Sequence, residues 1–352
     1  MSRAVRIALV VVAALVAGFG AFPAAAAAHG PANPLASSYL ARATAVPRGI
    51  EAKTVDGDQR MWLRVSPSRS VVVVLDYRGA PYLRFSPAGV AVNRNSGMYY
   101  LNQTPVAQTP PAGLTRNAPP DWRPVTGAHQ YAWHDGRLHA LAAVALSPGA
   151  AYVGRWTIPL RVDGRPGAIS GGLWHRGAPS LVWFWPMIVL LLCLPAAWRV
   201  RRPSLDALVA RALAGAVLMA IAVASLGRNL HGRPAVSAFG VVELGVILAL
   251  VGWALVRVLR HRAGFLTYFA IAFVAVWEGI TLLAALFHGY VLMALPAFLA
   301  RTATVACLGG GAGLVLVAFR LASEAGGSDE VEDEDHREPV DGEDGTLAES
   351  LA

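Results

Sequence analysis

The sequence is poor in charged residues and in cysteine. Only 15% of its 352 residues are charged and 55% are hydrophobic, whereas a soluble domain carries about 25% charged residues. Much of the chain must therefore be buried in something other than its own core, which excludes a simple cytosolic enzyme. Both cysteines, Cys193 and Cys307, fall in long apolar segments, and this excludes a secreted domain stapled by disulfides.

Motifs of nucleotide-binding and hydrolytic enzymes are also missing. The sequence has no P-loop, no GxGxxG before a helix, no GxSxG, no HExxH and no cysteine-pair zinc pattern. The arginines lie beside apolar segments, and no basic folded domain carries them, so nucleic-acid binding is not expected. We expect a protein that is not an enzyme.

Residues 1–28 have the pattern of a secretory signal peptide. Arg3 and Arg6 form a positive region, residues 7–22 are apolar, and residues 23–28 are small. The last of several possible cleavage points lies between Ala28 and His29. An uncleaved anchor helix is the alternative.

Residues 29–180 change to short apolar or alternating runs separated by Gly, Pro and Asn. This pattern is typical of an antiparallel β-sandwich, so the fold class expected for the chain is α+β, with an all-β, immunoglobulin-like exported domain. The proline-rich stretch 105–124 is expected to be a loop. The predicted strands cover residues 60–65, 70–77, 82–86, 89–93, 98–102, 130–134, 138–146, 152–162 and 168–174.

Residues 181–322 are predicted to form a bundle of five transmembrane helices, because a spanning helix needs about 20 mostly apolar residues. Arginines cluster after the first and third spans and end the fifth, whereas only Arg228 and Arg233 lie in the opposite loops. By the positive-inside rule the β-domain is then outside the cell membrane and the C-terminus is cytoplasmic. The predicted spans are 181–198, 206–226, 237–256, 265–287 and 291–319.

The C-terminal segment 323–352 is strongly acidic. Twelve of the 22 acidic residues lie in it, together with one arginine and no aromatic residue. Such a composition predicts a disordered cytoplasmic tail. The tail is either a docking segment for a cytosolic partner or a solvated tail without one.

One stretch of the exported domain suggests a metal site. Asp135 and Gly136 between apolar runs predict a two-residue hairpin turn, which places His134 and His139 on one face as diagonal neighbours. Two imidazoles at that separation, with Asp135 or another ligand, could hold a divalent ion such as copper or zinc. The alternative is two surface histidines beside a structural turn.

His29 adds a possible copper ligand, because cleavage after Ala28 would leave its amine and imidazole on one residue. An exported β-sandwich that starts at a histidine and is joined to a polytopic membrane domain resembles the copper-resistance CopC and CopD proteins. The similarity extends to Asp135-Gly136, but Arg137 and then His139 follow where the family has a histidine after the glycine. The resemblance implies copper as the first ligand to consider.

The chain resembles more closely, over most of its length, a group of actinobacterial membrane proteins that has no assigned activity. The runs that carry this resemblance are SSYL at 37–40, DYRG at 76–79 and WHD at 133–135. The group implies a membrane protein with an exported β-domain and nothing about its ligand.

Ionisable residues within the apolar segments form a second candidate site, because such residues usually face a partner or a cavity. Glu278 and Arg301 are placed at similar depths in consecutive antiparallel spans, which predicts an ion pair. Glu243 could join them, and His231 and His288 lie in the outer loops above. The cluster is either a polar vestibule for a cation or proton, or a structural pair that sets the helix register.

Three functions follow from these observations. The first is a membrane protein whose β-domain binds a ligand, with a divalent metal, copper before zinc, as the first candidate. The second is a non-catalytic scaffold in which the β-domain binds an envelope protein. The third is a small-ion or proton transporter, against which five spans without a detectable repeat argue.

Overall fold

The computed structural model describes residues 34–66, 71–103, 107–139, 151–186, 203–231 and 236–321. The predicted signal peptide (1–28), His29 and the predicted acidic tail (323–352) lie outside these residues. So do most of the predicted first span and of the predicted strand at 138–146.

A large antiparallel sheet dominates the first half of the chain. Its strands in the described ranges are β2 (Tyr39–Ala45), β5 (Val72–Leu75), β6 (Pro81–Ser86), β7 (Gly89–Asn93), β8 (Trp122–Thr126), β10 (Tyr152–Val162) and β11 (Arg165–His175). These seven strands lie in the order β2-β11-β10-β5-β6-β7-β8, and β5, with its run of valines, is central. The long hairpin of β10 and β11 turns at Asp163 and Gly164, both of which have positive φ.

A second antiparallel sheet contains β3 (Ile50–Val55), β4 (Arg60–Val65) and β9 (Gln130–His134), in that order. Side chains of both sheets share one hydrophobic core, because alternate residues of each strand point to the same side. Met61 and Leu63 from the smaller sheet are buried with Phe85, Ile158 and Leu160 from the larger one. We call these two sheets together the β-domain.

The sequence patterns predicted several strands closely, but one element is wrong. Residues 98–101 of the strand expected at 98–102 belong to helix α1 (Gly97–Leu101), and Asn102 is the C-cap of this helix. The buried Asp76 carboxylate accepts hydrogen bonds from Ser96 Oγ and Gly97 N, 2.9 and 3.3 Å away, and this contact holds the first turn. Strands β2, β3 and β8 were not predicted, and β8 includes Pro124 from the expected loop.

Among the described residues after the β-domain, four longer helices occur: α2 (Pro203–Asn229), α3 (Ala238–Leu259), α4 (Phe265–Thr281) and α5 (Ala297–Leu321). Three of them, α2, α3 and α5, are long and apolar enough to cross a membrane, and α4 is shorter with 17 residues. Helix α5 contains a π-helical turn at Ala306–Gly310. We call α2 to α5 the helical bundle.

The β-domain lies on one end of the helical bundle. Strand β1 (Ala36–Ser37) pairs with β12 (Tyr290–Val291), which belongs to the loop between α4 and α5. The Leu292 amide donates to the Leu35 carbonyl over 2.8 Å, and the rings of Phe184 and Phe287 are 5.7 Å apart. The α4–α5 loop therefore joins the two parts of the molecule.

Candidate functional site

The two histidines of the expected metal site lie side by side, although the expected hairpin is wrong. Strand β9 pairs with β4 rather than with the residues after it, and Gly136–Leu138 is a short 3-10 helix. That turn brings His139 back to His134, with ring centroids 5.0 Å apart. The Nδ1 atom of His139 is 3.1 Å from Oδ2 of Asp58, which lies in the turn between β3 and β4.

The Asp135 side chain is used to hold the turn together. It is fully buried, and its Oδ2 accepts hydrogen bonds from Trp133 Nε1 and Arg137 Nη2 at 2.9 and 2.7 Å. Its Oδ1 accepts from the amide and Nε of Arg137. Burial, together with the Asp135 charge, raises the pKa of Tyr77, whose hydroxyl accepts from the Gly136 amide. Asp135 therefore stabilises the turn, and both of its carboxylate oxygens are used by Trp133 and Arg137.

The donor set in the described part of the chain is small. His134 and His139 lie together, and Asp58 is placed at Nδ1 of His139 as an orienting carboxylate rather than as a ligand. His29 is outside the described residues, and no group of three or more His, Cys, Asp or Glu side chains in the described ranges is arranged to hold a metal ion. A zinc or copper site needs at least three ligands. The pair would thus require a ligand from outside this set.

A charge cluster lies inside the helical bundle near its β-domain end. Arg228, near the end of α2, donates through Nη2 to Glu243 Oε1 of α3 at 2.7 Å and to Glu278 Oε1 of α4 at 2.8 Å. Ser225 Oγ donates to the same Glu278 oxygen over 3.2 Å. The Arg228 guanidinium on α2 therefore links a carboxylate on α3 to a carboxylate on α4.

The expected Glu278–Arg301 ion pair is wrong. Arg301 donates instead to the backbone carbonyls of Ala285, His288 and Gly289, at 3.0, 3.1 and 3.2 Å. Continuous helices over 265–287 and 291–319 were expected to bring the two side chains to the same depth, but α4 ends at Thr281 and α5 begins at Ala297. Arg301 therefore lies in the first turns of α5, where its guanidinium reaches the α4–α5 loop.

Arg228 is the residue that the sequence reasoning missed, because it was assigned to a loop. Its position three residues after Ser225, at the end of an apolar run, was the available signal. The charge cluster also keeps unused hydrogen-bonding capacity: Glu278 Oε2, Arg228 Nε and Asn229 Nδ2 are buried without a partner among the described residues. Donors and an acceptor together suit buried water, which needs two to four polar partners.

The outer-loop histidines lie at the junction of the two parts. His288 Nδ1 is 3.0 Å from Ser38 Oγ of the β-domain. His231, two residues after α2 ends, lines a cavity between the β-domain and the helical bundle. The β-domain thus packs on the ends of the helices where these histidines lie.

This junction cavity has a volume of about 460 Å³, within the range of small-molecule sites. It combines an apolar wall with a polar one. Hydrogen bonding from Lys53 lowers the pKa of the exposed Glu51 beside it. Asp56, at positive φ and held by Arg60, also lines the cavity. The cavity is lined by Leu40, Arg42, Ala43, Ala52, Lys53, Thr54, Val55, Asp56, Gly57, His231 and Leu292.

Comparison with known proteins gave no match: no family model, no curated protein and no solved structure is similar to this chain. The resemblances given above stay predictions. The function is therefore inferred from the geometry of the molecule.

Proposed function

We propose that this chain is a multi-pass membrane protein whose β-domain binds a small ligand in the junction cavity and catalyses no reaction. The observation that carries the proposal is the cavity itself, lined by strands β2 and β3 on one side and by His231 and Leu292 on the other. Ligand sites occur preferentially at domain interfaces. A ligand there contacts both parts and couples the β-domain to the helices.

The finer architecture belongs to the same proposal. The β-domain is an exported, immunoglobulin-like sandwich, and residues 181–198 supply the first of five spans. The arginine distribution supports an exported β-domain and a cytoplasmic C-terminus in the cell membrane. The pairing of β1 with β12 supports a placement of the β-domain and the α4–α5 loop on the same side of the membrane.

Native mass spectrometry of the full chain, extracted from its membrane in mild detergent, tests this proposal. We expect a bound small molecule on the parent protein and its loss when Leu40→Trp or Leu292→Phe fills the cavity from either side. Val125→Trp, at an exposed position of β8, is the matched control and should retain it. A parent protein without adduct, or an adduct that survives both filling variants, would favour the envelope scaffold instead.

A divalent metal at His134 and His139 is the second candidate. Metal-binding histidines commonly use their other ring nitrogen to contact a carboxylate, and Asp58 is so placed at Nδ1 of His139. Nε2 of His139 is then available for copper or zinc, with His29 as a further ligand if cleavage exposes it. N-terminal analysis of the mature chain and copper titration test this assignment.

A further inference from the structure

We infer that the junction cavity holds the phosphate headgroup of an anionic membrane phospholipid. This inference rests on the proposed function and names its ligand class. Its starting point is an uncompensated positive charge on the polar wall of the cavity.

That charge belongs to Arg42 of β2. The Arg42 side chain is exposed, and its guanidinium carbon lies 5.8 Å from the centre of the Trp174 ring. No carboxylate pairs with it within the described ranges. Lys53, the other cation of the wall, is already paired with Glu51 over 2.9 Å and lies over the Trp62 ring. Arg42 is therefore the group with a charge to offer an incoming anion.

Phosphate is the anion that suits this group best. A guanidinium presents parallel N–H donors that match two phosphate oxygens, and stacking on an aromatic ring orients its plane. Trp174 supplies that ring and belongs to β11, the direct neighbour of β2 in the sheet. The contact with Trp174 restricts the Arg42 side chain before a ligand arrives.

The position of the cavity favours a lipid over a soluble phosphate. His231 follows the end of the apolar helix α2 by two residues, so the cavity lies at the level where headgroups meet a spanning helix. Leu40 and Ala43 on one side and Leu292 on the other give the cavity an apolar lining that a free phosphate would not use. Helix α3, which follows α2 in the chain, is only 17% buried within the molecule along its most apolar stretch. Acyl chains of the bilayer can therefore pack against the helical bundle.

Competition between two lipids with identical acyl chains tests the inference. The full chain in detergent is mixed with equal amounts of phosphatidylglycerol and phosphatidylcholine, and bound lipid is counted by native mass spectrometry. Both lipids present a phosphate, but the choline ammonium of phosphatidylcholine compensates its charge, whereas phosphatidylglycerol keeps a net negative charge. We therefore expect about a tenfold preference for phosphatidylglycerol, which corresponds to about 1.4 kcal/mol. Arg42→Gln should abolish the preference, and Arg161→Gln, an exposed arginine on β10 outside the cavity, should keep it.

The possible outcomes distinguish a failure of the phospholipid assignment from a failure of the proposed ligand site. Equal binding of both lipids, lost on Leu40→Trp and Leu292→Phe, would overturn the anionic headgroup and keep the cavity as a ligand site. Lipid binding unaffected by both filling variants would overturn both proposals. If inorganic phosphate displaces no lipid but itself raises the melting temperature in an Arg42-dependent way, the ligand is a soluble phosphate and the lipid assignment is wrong.

Discussion

Nη2 of Arg228 lies 2.8 Å from Oε1 of Glu278, a side chain that is only 1% exposed. Glu243 shares the same nitrogen from the other side and is 31% exposed. The guanidinium is thus the common counter-charge of a buried and a half-buried carboxylate. Removal of the guanidinium and removal of each carboxylate should therefore change the stability of the helical bundle by different amounts.

Arg228→Met should destabilise the helical bundle by about 3 kcal/mol, because removing one partner leaves the buried Glu278 charge uncompensated. The double variant Arg228→Met, Glu278→Met should recover much of that loss. Thermal unfolding in detergent, followed by the monomer peak in size-exclusion chromatography, measures both. A double variant less stable than Arg228→Met would show that the charges themselves stabilise the helices.

Glu243→Gln should cost less than Glu278→Gln in the same assay, since the first carboxylate keeps access to solvent or headgroups and the second does not. The two substitutions change the same atoms, so each is the other's control. Equal losses would contradict the assignment of Glu278 as the principal partner of Arg228.

Arg301→Met should loosen the attachment of the β-domain. Three carbonyls of the α4–α5 loop lose their donor, and that loop carries β12. The paired residues Ala36 and Val291 lie across an antiparallel ladder, a separation that suits a disulfide. A protein with Ala36→Cys and Val291→Cys should form this cross-link readily.

Addition of Arg301→Met should slow the formation of that cross-link, which gel mobility after mild oxidation reports. Phe298→Ala, at an exposed position on the same helix, provides the control. An unchanged rate would mean that Arg301 does not hold the loop.

Copper binding should depend on Asp58 and not on Asp135 if the histidine pair is a site. Asp58→Asn should weaken copper affinity by about 10- to 100-fold, as loss of an orienting carboxylate does, and the double variant His134→Ala, His139→Ala should abolish it. Asp135→Asn should lower the melting temperature and leave the affinity of the folded fraction unchanged. Electron paramagnetic resonance of the full chain with copper(II) distinguishes these outcomes, and identical spectra for all variants would end the metal hypothesis.

Alkaline pH should destabilise the β-domain through Tyr82. Burial raises the pKa of Tyr82 in the folded protein, although Asn102 donates to its hydroxyl over 2.8 Å. Its neutral form is favoured by folding, so this contribution is complete below about pH 10 and is lost as the pH rises further. Tyr82→Phe should reduce the steepness of the loss in melting temperature above that pH, and an unchanged steepness would assign the effect to other tyrosines.

The parts of the fold that were predictable from sequence are those set by local pattern. Strands β4, β7, β9 and β10 were predicted with their observed bounds, because alternating runs between turn signals need no distant information. Residues 98–102 misled because a short apolar run suits either a strand or a helix. Their helix depends on Asp76, which lies far away in the sequence.

In the candidate sites, too, contacts between residues close in sequence were predictable and contacts between distant residues were not. The closeness of His134 and His139 was predictable because only four residues lie between them, whereas Asp58 reaches His139 from the turn between β3 and β4. Arg228 could not be chosen over Arg301 as the partner of Glu278 without knowing where α4 ends. The junction cavity has no sequence signature, since strands and helix ends that line it meet only in the folded chain.

The pairing of Ala36 with Val291 constrains the order in which parts of this protein can fold during synthesis. The ribosome releases the first of these residues early and the second only after α2, α3 and α4. Strand β1 therefore waits, without its partner, while most of the chain is still being synthesised. Long-range contacts of this kind form late, so the newly made protein passes through a stage in which a complete β-domain is not yet fastened to its helices.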